Sequence, residues 1–120
     1  MEENFTADPK DVQDNKIMGI LAYLNILVLV PIFAAKDSPF ARFHANQGLI
    51  LLIVWVALYV VATILSTIFI AVSITLAALT GLLYILVWLC IVVFMILGII
   101  NAAKGEMKEL PFIGKYRILK

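Results

Sequence analysis

From Gln47 to Ala103 the chain runs for 57 residues without one Asp, Glu, Lys or Arg. As a single helix rising 1.5 Å per residue this run would be about 85 Å long, nearly three times the ~30 Å hydrocarbon core of a bilayer. It must therefore fold back. Two crossings of about 22 to 25 residues fit the run, whereas three would each be too short. The reading puts one crossing near Asn46 to Phe69, a turn near Ala71 to Thr75, and the next crossing near Leu76 to Ala103. The turn has no Gly or Pro, and only β-branched Val72, Ile74 and Thr75 mark it.

A further uncharged run, Ile17 to Ala35, lies between Lys16 and Lys36 and is long enough for another crossing. Pro31 near its end is tolerated where neighbours satisfy the freed carbonyl. With 64% hydrophobic and 14% charged residues and a mean hydropathy of +1.09, the chain lies outside the soluble range of roughly 25% charge. The predicted fold is all-α, an integral membrane three-helix bundle with a short interfacial helix or turn before the second span. Residues 1–15 read as a polar acidic tail, 16–115 as one three-span domain, and 104–120 as a basic interfacial tail. No basic, early apolar signal-peptide pattern precedes Ile17.

Orientation follows from Lys and Arg. Three spans leave two cations beside the N-terminal tail and seven on the side of the first loop and the C-terminal tail. The expectation is a prokaryotic cytoplasmic membrane protein with its N-terminus outside and its C-terminus in the cytoplasm. So modest a basic tail beside a membrane points to lipid headgroups, and no nucleic-acid partner is expected.

The chemistry-bearing residues gather in "KDSPFARFHANQG", Lys36 to Gly48. Ser38 before Pro39 matches a helix N-cap and first position, with Lys36, Phe40, Arg42 and Phe43 forming an interfacial loop. On a helical wheel His44, Gln47, Gly48, Ala62 and Ser66 share one face of span two, and Gly98, Asn101 and Ala102 share one face of span three. Small and hydrogen-bonding residues mark helix contacts in membranes, so Gly48, Ala62, Ser66, Gly98 and Ala102 are assigned to helix packing. Asn25 joins them as a mid-membrane amide in need of a partner across helices. His44, Asn46, Gln47 and Asn101 reach one depth and should form a polar rim. After span three, Lys104 and Gly105 suit a helix C-terminus and its left-handed cap.

One histidine without Cys or acid at ligand spacing completes no metal sphere, and no nucleophile and base set or phosphate loop is present. Neither an enzyme, a cofactor nor a metal is expected. Cys90 is alone in an apolar run and forms no internal disulfide. Two functional classes remain. One is a non-enzymatic membrane component that packs with its own copies or another membrane protein. The other is a small oligomeric channel or transporter, against which stands the lack of any charged residue inside a span.

"KDSPFARFHANQGLILLI" followed by "INAAKGEMKELPFIGK" resembles small prokaryotic membrane proteins that are similar to the chloroplast inner-envelope import component, the twenty-kilodalton Tic subunit. MamF-type magnetosome membrane proteins belong to the same broad group. The resemblance covers about Lys16 to Lys115 and rests on Phe43, His44, Asn46 and Gln47, then Asn101, Gly105, Pro111 and Gly114. It implies a compact helical membrane protein without a catalytic site, and a role in translocation or membrane assembly. The chain is shorter than the plant subunit and shows three spans where that family has four.

Overall fold

The computed structural model describes residues 7–119, and among them every regular element is helical. Helix α1 covers Pro9–Leu21, a 3₁₀ turn Asn25–Val28 and α2 Leu29–Ala34. They are followed by α3 (Pro39–Val72), α4 (Ile74–Ala78) and α5 (Thr80–Ala103). Two stretches are long and apolar enough to cross a membrane, Pro39–Val72 and Ile74–Ala103. The break between them is a single extended residue, Ser73, at φ −162° and ψ 155°. Its hydroxyl accepts the Leu76 N–H and so restarts the helix.

The expected first crossing is built differently. Residues 17–35 do not form one helix. α1 stops at Leu21, and the chain reverses through Leu24 at φ −100° and Asn25 at φ +61° before α2 returns toward its starting level. Asn occupies left-handed backbone more readily than most residues, which lets the reversal occur without glycine. An unbroken apolar run carries no periodic signal for such a turn. The result is a short helical hairpin, so that in place of the three expected spans the described residues hold two helices long and apolar enough to cross a membrane. The polar tail read at 1–15 is also helical from Pro9 onward, capped by Asp8, while its residues 1–6 lie outside the described residues.

Glycines let the hairpin apex approach. A Cβ on Gly48 would overlap the carbonyl of Ala22, and one on Gly98 would enter the Tyr23 ring. Tyr23 and Ala22 are accordingly buried, as are Val28, Phe40, Ala45, Leu51 and Ala102 around them. The core therefore sits at one end of the molecule, where α1, α2, α3 and α5 meet. Beyond it α3 and α5 pair alone, and their outer faces carry exposed Val56, Tyr59, Ile64, Leu82 and Trp88. In water such a surface would aggregate; in hydrocarbon it is the expected lipid-facing surface.

Candidate functional site

At the core end, α3 begins with a cap drawn from two elements. Ser38 Oγ accepts the Ala41 N–H at 3.0 Å and donates to Asp11 Oδ1 at 2.5 Å, while Asp11 Oδ2 accepts the Phe40 N–H at 3.0 Å. A carboxylate at a helix N-terminus satisfies orphan donors and meets the positive end of the dipole. Burial raises the Asp11 pKa, but the hydrogen bonds from Ser38, the Phe40 backbone and Asn15 outweigh it and hold the carboxyl below its ordinary 3.8. Asp11 thereby ties α1 to α3. It also lines a shallow cavity of about 280 Å³ with Asn15, exposed Lys36 and Asp37. Sequence reasoning missed Asp11, whose partner lies 27 residues away.

One turn further along α3, His44 is fully buried. Its Nε2 lies 2.8 Å from the Glu106 carbonyl and its Nδ1 2.5 Å from the Tyr23 hydroxyl. Because a carbonyl only accepts, Nε2 carries the proton and Tyr23 donates to Nδ1. Tyr23, Phe40 and Phe43 pack edge-on around the imidazole with centroids 5.5, 4.7 and 5.2 Å away. Phe40 and Phe43, read as interfacial residues, are thus buried core residues. Arg42 is half-buried, and Arg117 lies over the Phe43 ring at 5.3 Å.

Gln47, also fully buried, uses both ends of its amide. Nε2 donates to the Gly114 carbonyl at 2.9 Å and Oε1 accepts the Leu110 N–H at 2.8 Å. The turn it clamps is closed again by Gly114 N–H to Leu110 O at 3.0 Å. A side chain on Gly114 would collide with Leu110 and Gln47. Asn46 does the same for the end of the described chain. Its Oδ1 accepts from Ile118 and Leu119, and its Nδ2 donates to the Leu119 carbonyl at 3.1 Å.

The expected rim is therefore arranged otherwise. His44, Gln47 and Asn46 bind three successive stretches of the C-terminal segment through its backbone, and Asn101 instead reaches the Lys108 carbonyl at a long 3.5 Å. Among the described residues no hydrogen bond joins Asn101 to His44 or Gln47. The path of the strap is set at its root: α5 ends in a Schellman motif, with Gly105 at φ +74°, Gly105 N–H to Ala102 O and Glu106 N–H to Asn101 O. Residues 106–119 then lie across α3 as a strap. Arg117 fastens it through the Gly114 carbonyl and Glu109.

The small-residue faces are filled from within the chain. Gly48 and Gly98 receive the hairpin apex, and Ala102 packs beside Gly19, Phe40 and His44. Ala62 and Ser66 are buried further along α3. Asn25 departs from its expected place. It is exposed at the apex of the hairpin, along a groove with Leu52, Trp55, Val56 and Tyr59. Among the described residues no cluster of three His, Cys, Asp or Glu side chains is placed to hold a metal ion.

These features define a small helical membrane protein whose charged end is closed by its own C-terminal strap. The chain belongs to the magnetosome magnetite crystal formation protein family, whose profile matches residues 14–118. It is similar to magnetosome protein MmsF of Paramagnetospirillum magneticum, with 43% identity over 35 residues, 29% of this chain and 33% of that protein. It is also similar to magnetosome protein MamF of the same organism, with 46% identity over 35 residues, 29% and 32% of the two chains. The matched stretch thus spans about a third of each of these relatives. No solved structure matches the chain.

Proposed function

We infer that the chain is a non-catalytic component of a prokaryotic membrane that takes part in magnetite crystal formation by associating with other membrane protein chains. The observation that carries this reading is the use of the polar end. His44, Asn46 and Gln47 spend hydrogen bonds on the backbone of the chain's own strap, so these three polar side chains serve to hold the chain's own C-terminal segment. The magnetite context comes from the family to which the chain belongs. A role in membrane assembly or translocation, implied by the resemblance to the import component, rests on the residues quoted for it.

Orientation belongs to the same proposal. Asp11 bonds to Ser38, and Val12 lies against Gly105, so the N-terminal helix begins at the end where the C-terminal strap lies. The turn at Ser73 has no charge near it. With the described cations at one end, the positive-inside rule puts both α1's start and the strap in the cytoplasm.

The test is to introduce the chain into magnetite-forming cells and measure crystal size and shape by electron microscopy, with and without it. Altered crystals support the reading, and unchanged crystals overturn it. Ion flux through vesicles carrying the purified protein tests the channel alternative, for which the lack of charged side chains in α3 beyond Arg42 and in α5 offers no relay.

A further inference from the structure

We propose that the chain senses membrane curvature: the hairpin at residues 17–35 fills one leaflet only, which makes the molecule a wedge that favours bilayers convex on the side of the strap.

The hairpin is suited to hydrocarbon and yet stops short of the middle of the bilayer. Residues 17–35 carry no charge, and Ile26, Leu29, Val30 and Phe33 are exposed on its outer side. The Ala22 carbonyl abuts Gly48, and Asn25 at the apex lies beside Leu52, Trp55 and Val56. With the hydrocarbon edge at Gln47, where the charge-free run starts, Leu52 to Val56 lie about 8 to 14 Å deep at 1.5 Å per residue. The midplane of a core ~30 Å thick is at about 15 Å. The hairpin therefore fills the leaflet next to the strap and leaves the opposite one to α3 and α5.

A helix with its side chains is about 10 to 12 Å across, hence about 80 to 110 Å² in section. Two additional helical segments widen the molecule by about 160 to 220 Å² in one leaflet, roughly doubling its section there. The wedge is also rigid, which a curvature preference requires, because a loose hairpin would yield to the lipids around it. Gly48 and Gly98 leave room for no side chain of their own beneath Ala22 and Tyr23, and the Tyr23 hydroxyl bonds buried His44. The exposed Asn25 amide points to the same preference. Among the described residues it has no hydrogen-bond partner, and acyl chains offer neither donor nor acceptor. A leaflet bent convex spreads its headgroups apart, and water reaches deeper between them.

The inference rests on the proposed topology, in which residues 17–35 do not cross. Labelling of residue 8 in intact cells tests that topology by itself, so its failure and the failure of the wedge are distinguishable. For the wedge, the full chain carries a fluorophore through Lys115→Cys in a Cys90→Ser background. It is reconstituted into giant vesicles of phosphatidylethanolamine and phosphatidylglycerol, and a narrow membrane tube is pulled outward from each. The readout is protein density on the tube relative to the flat membrane, normalised to a lipid dye. Molecules with the strap outward should give a ratio above unity that grows as the tube narrows. Once a membrane-impermeant quencher has silenced them, the molecules still visible have the strap inward and should give a ratio below unity. Ile26→Ala with Phe33→Ala trims the wedge at two exposed positions, and should move both ratios toward unity at an unchanged melting temperature. Equal partitioning of the two orientations overturns the proposal, and so does a pair of ratios that the trimmed hairpin leaves unchanged.

Discussion

The ring of Tyr23 lies directly over Gly98, so close that the glycine has no room for even a methyl group. This contact seats the hairpin apex on α5, and it makes Gly98→Leu a substitution that drives a side chain into a buried aromatic ring. Overpacking of this kind costs about 1–3 kcal/mol and sometimes more. Ile53 is half exposed on the outer face of α3, so Ile53→Ala should stay within about 0.5 kcal/mol. Thermal melting in detergent should rank Gly98→Leu well below Ile53→Ala. The reverse ranking would mean that Tyr23 does not occupy this position.

Gln47 and Asn101 look alike in sequence and should behave differently. Gln47→Leu leaves the buried Leu110 N–H unpaired and takes one of two donors from the Gly114 carbonyl, which keeps Arg117, at about 1–3 kcal/mol for the orphaned N–H. Asn101 is half-buried and makes one long contact, so Asn101→Leu should change stability by less than about 1 kcal/mol. Limited proteolysis offers a second readout. Cleavage between residues 106 and 119 should accelerate in Gln47→Leu and hold steady in Asn101→Leu. Equal protection in the two variants would show that Gln47 does not hold the strap.

The two long helices were legible because absence of charge over a run of known length has few physical solutions. The cap at Ser38 and Pro39 was legible because capping is local. The hairpin was not, since Ile17 to Ala35 is apolar throughout and its reversal depends on Asn25 adopting a positive φ, which a wheel or a hydropathy window does not register. The polar cluster was found as a set, Phe43 to Gln47, but its partners were misjudged. Helical-wheel reasoning pairs side chain with side chain, whereas His44, Asn46 and Gln47 bind backbone atoms 62 to 73 residues away. Nothing in a periodic pattern encodes a contact with an irregular segment. For the same reason Gly48 and Gly98 were read as helix contacts when the object they admit is a turn.

Asp11 gives the fold a pH dependence of definite sign. Its carboxyl titrates below the ordinary 3.8 in the folded state, so its contribution is fully present above that value and is lost as the pH falls through the lowered one. Melting temperature should therefore drop on acidification below about pH 4. Half-buried Glu106, lowered by its hydrogen bond to Lys108, shifts in the same direction, so Asp11→Ala should flatten the acid limb only in part. At neutral pH Asp11→Ala should cost about 0.5–2 kcal/mol, the range for a lost helix cap. A melting temperature unchanged by Asp11→Ala at pH 7 would contradict the cap.

The arrangement of the ends makes the sharpest test. Asp11 reaches Ser38 and Val12 reaches Gly105, which is impossible if α1 starts on the opposite face of the membrane from the strap. In the proposed topology two long helices return the chain to its original side, and the hairpin that precedes them does not cross. In a Cys90→Ser background, Asp8→Cys and Lys115→Cys should both resist a membrane-impermeant maleimide added to intact cells and react in inverted vesicles. Ser73→Cys, at the turn between α3 and α4, should show the opposite pattern. If Asp8→Cys were labelled in intact cells while Lys115→Cys was spared, residues 17–35 would have to cross the membrane after all, and the contact of Tyr23 with His44 and Gly98 could not exist in the bilayer.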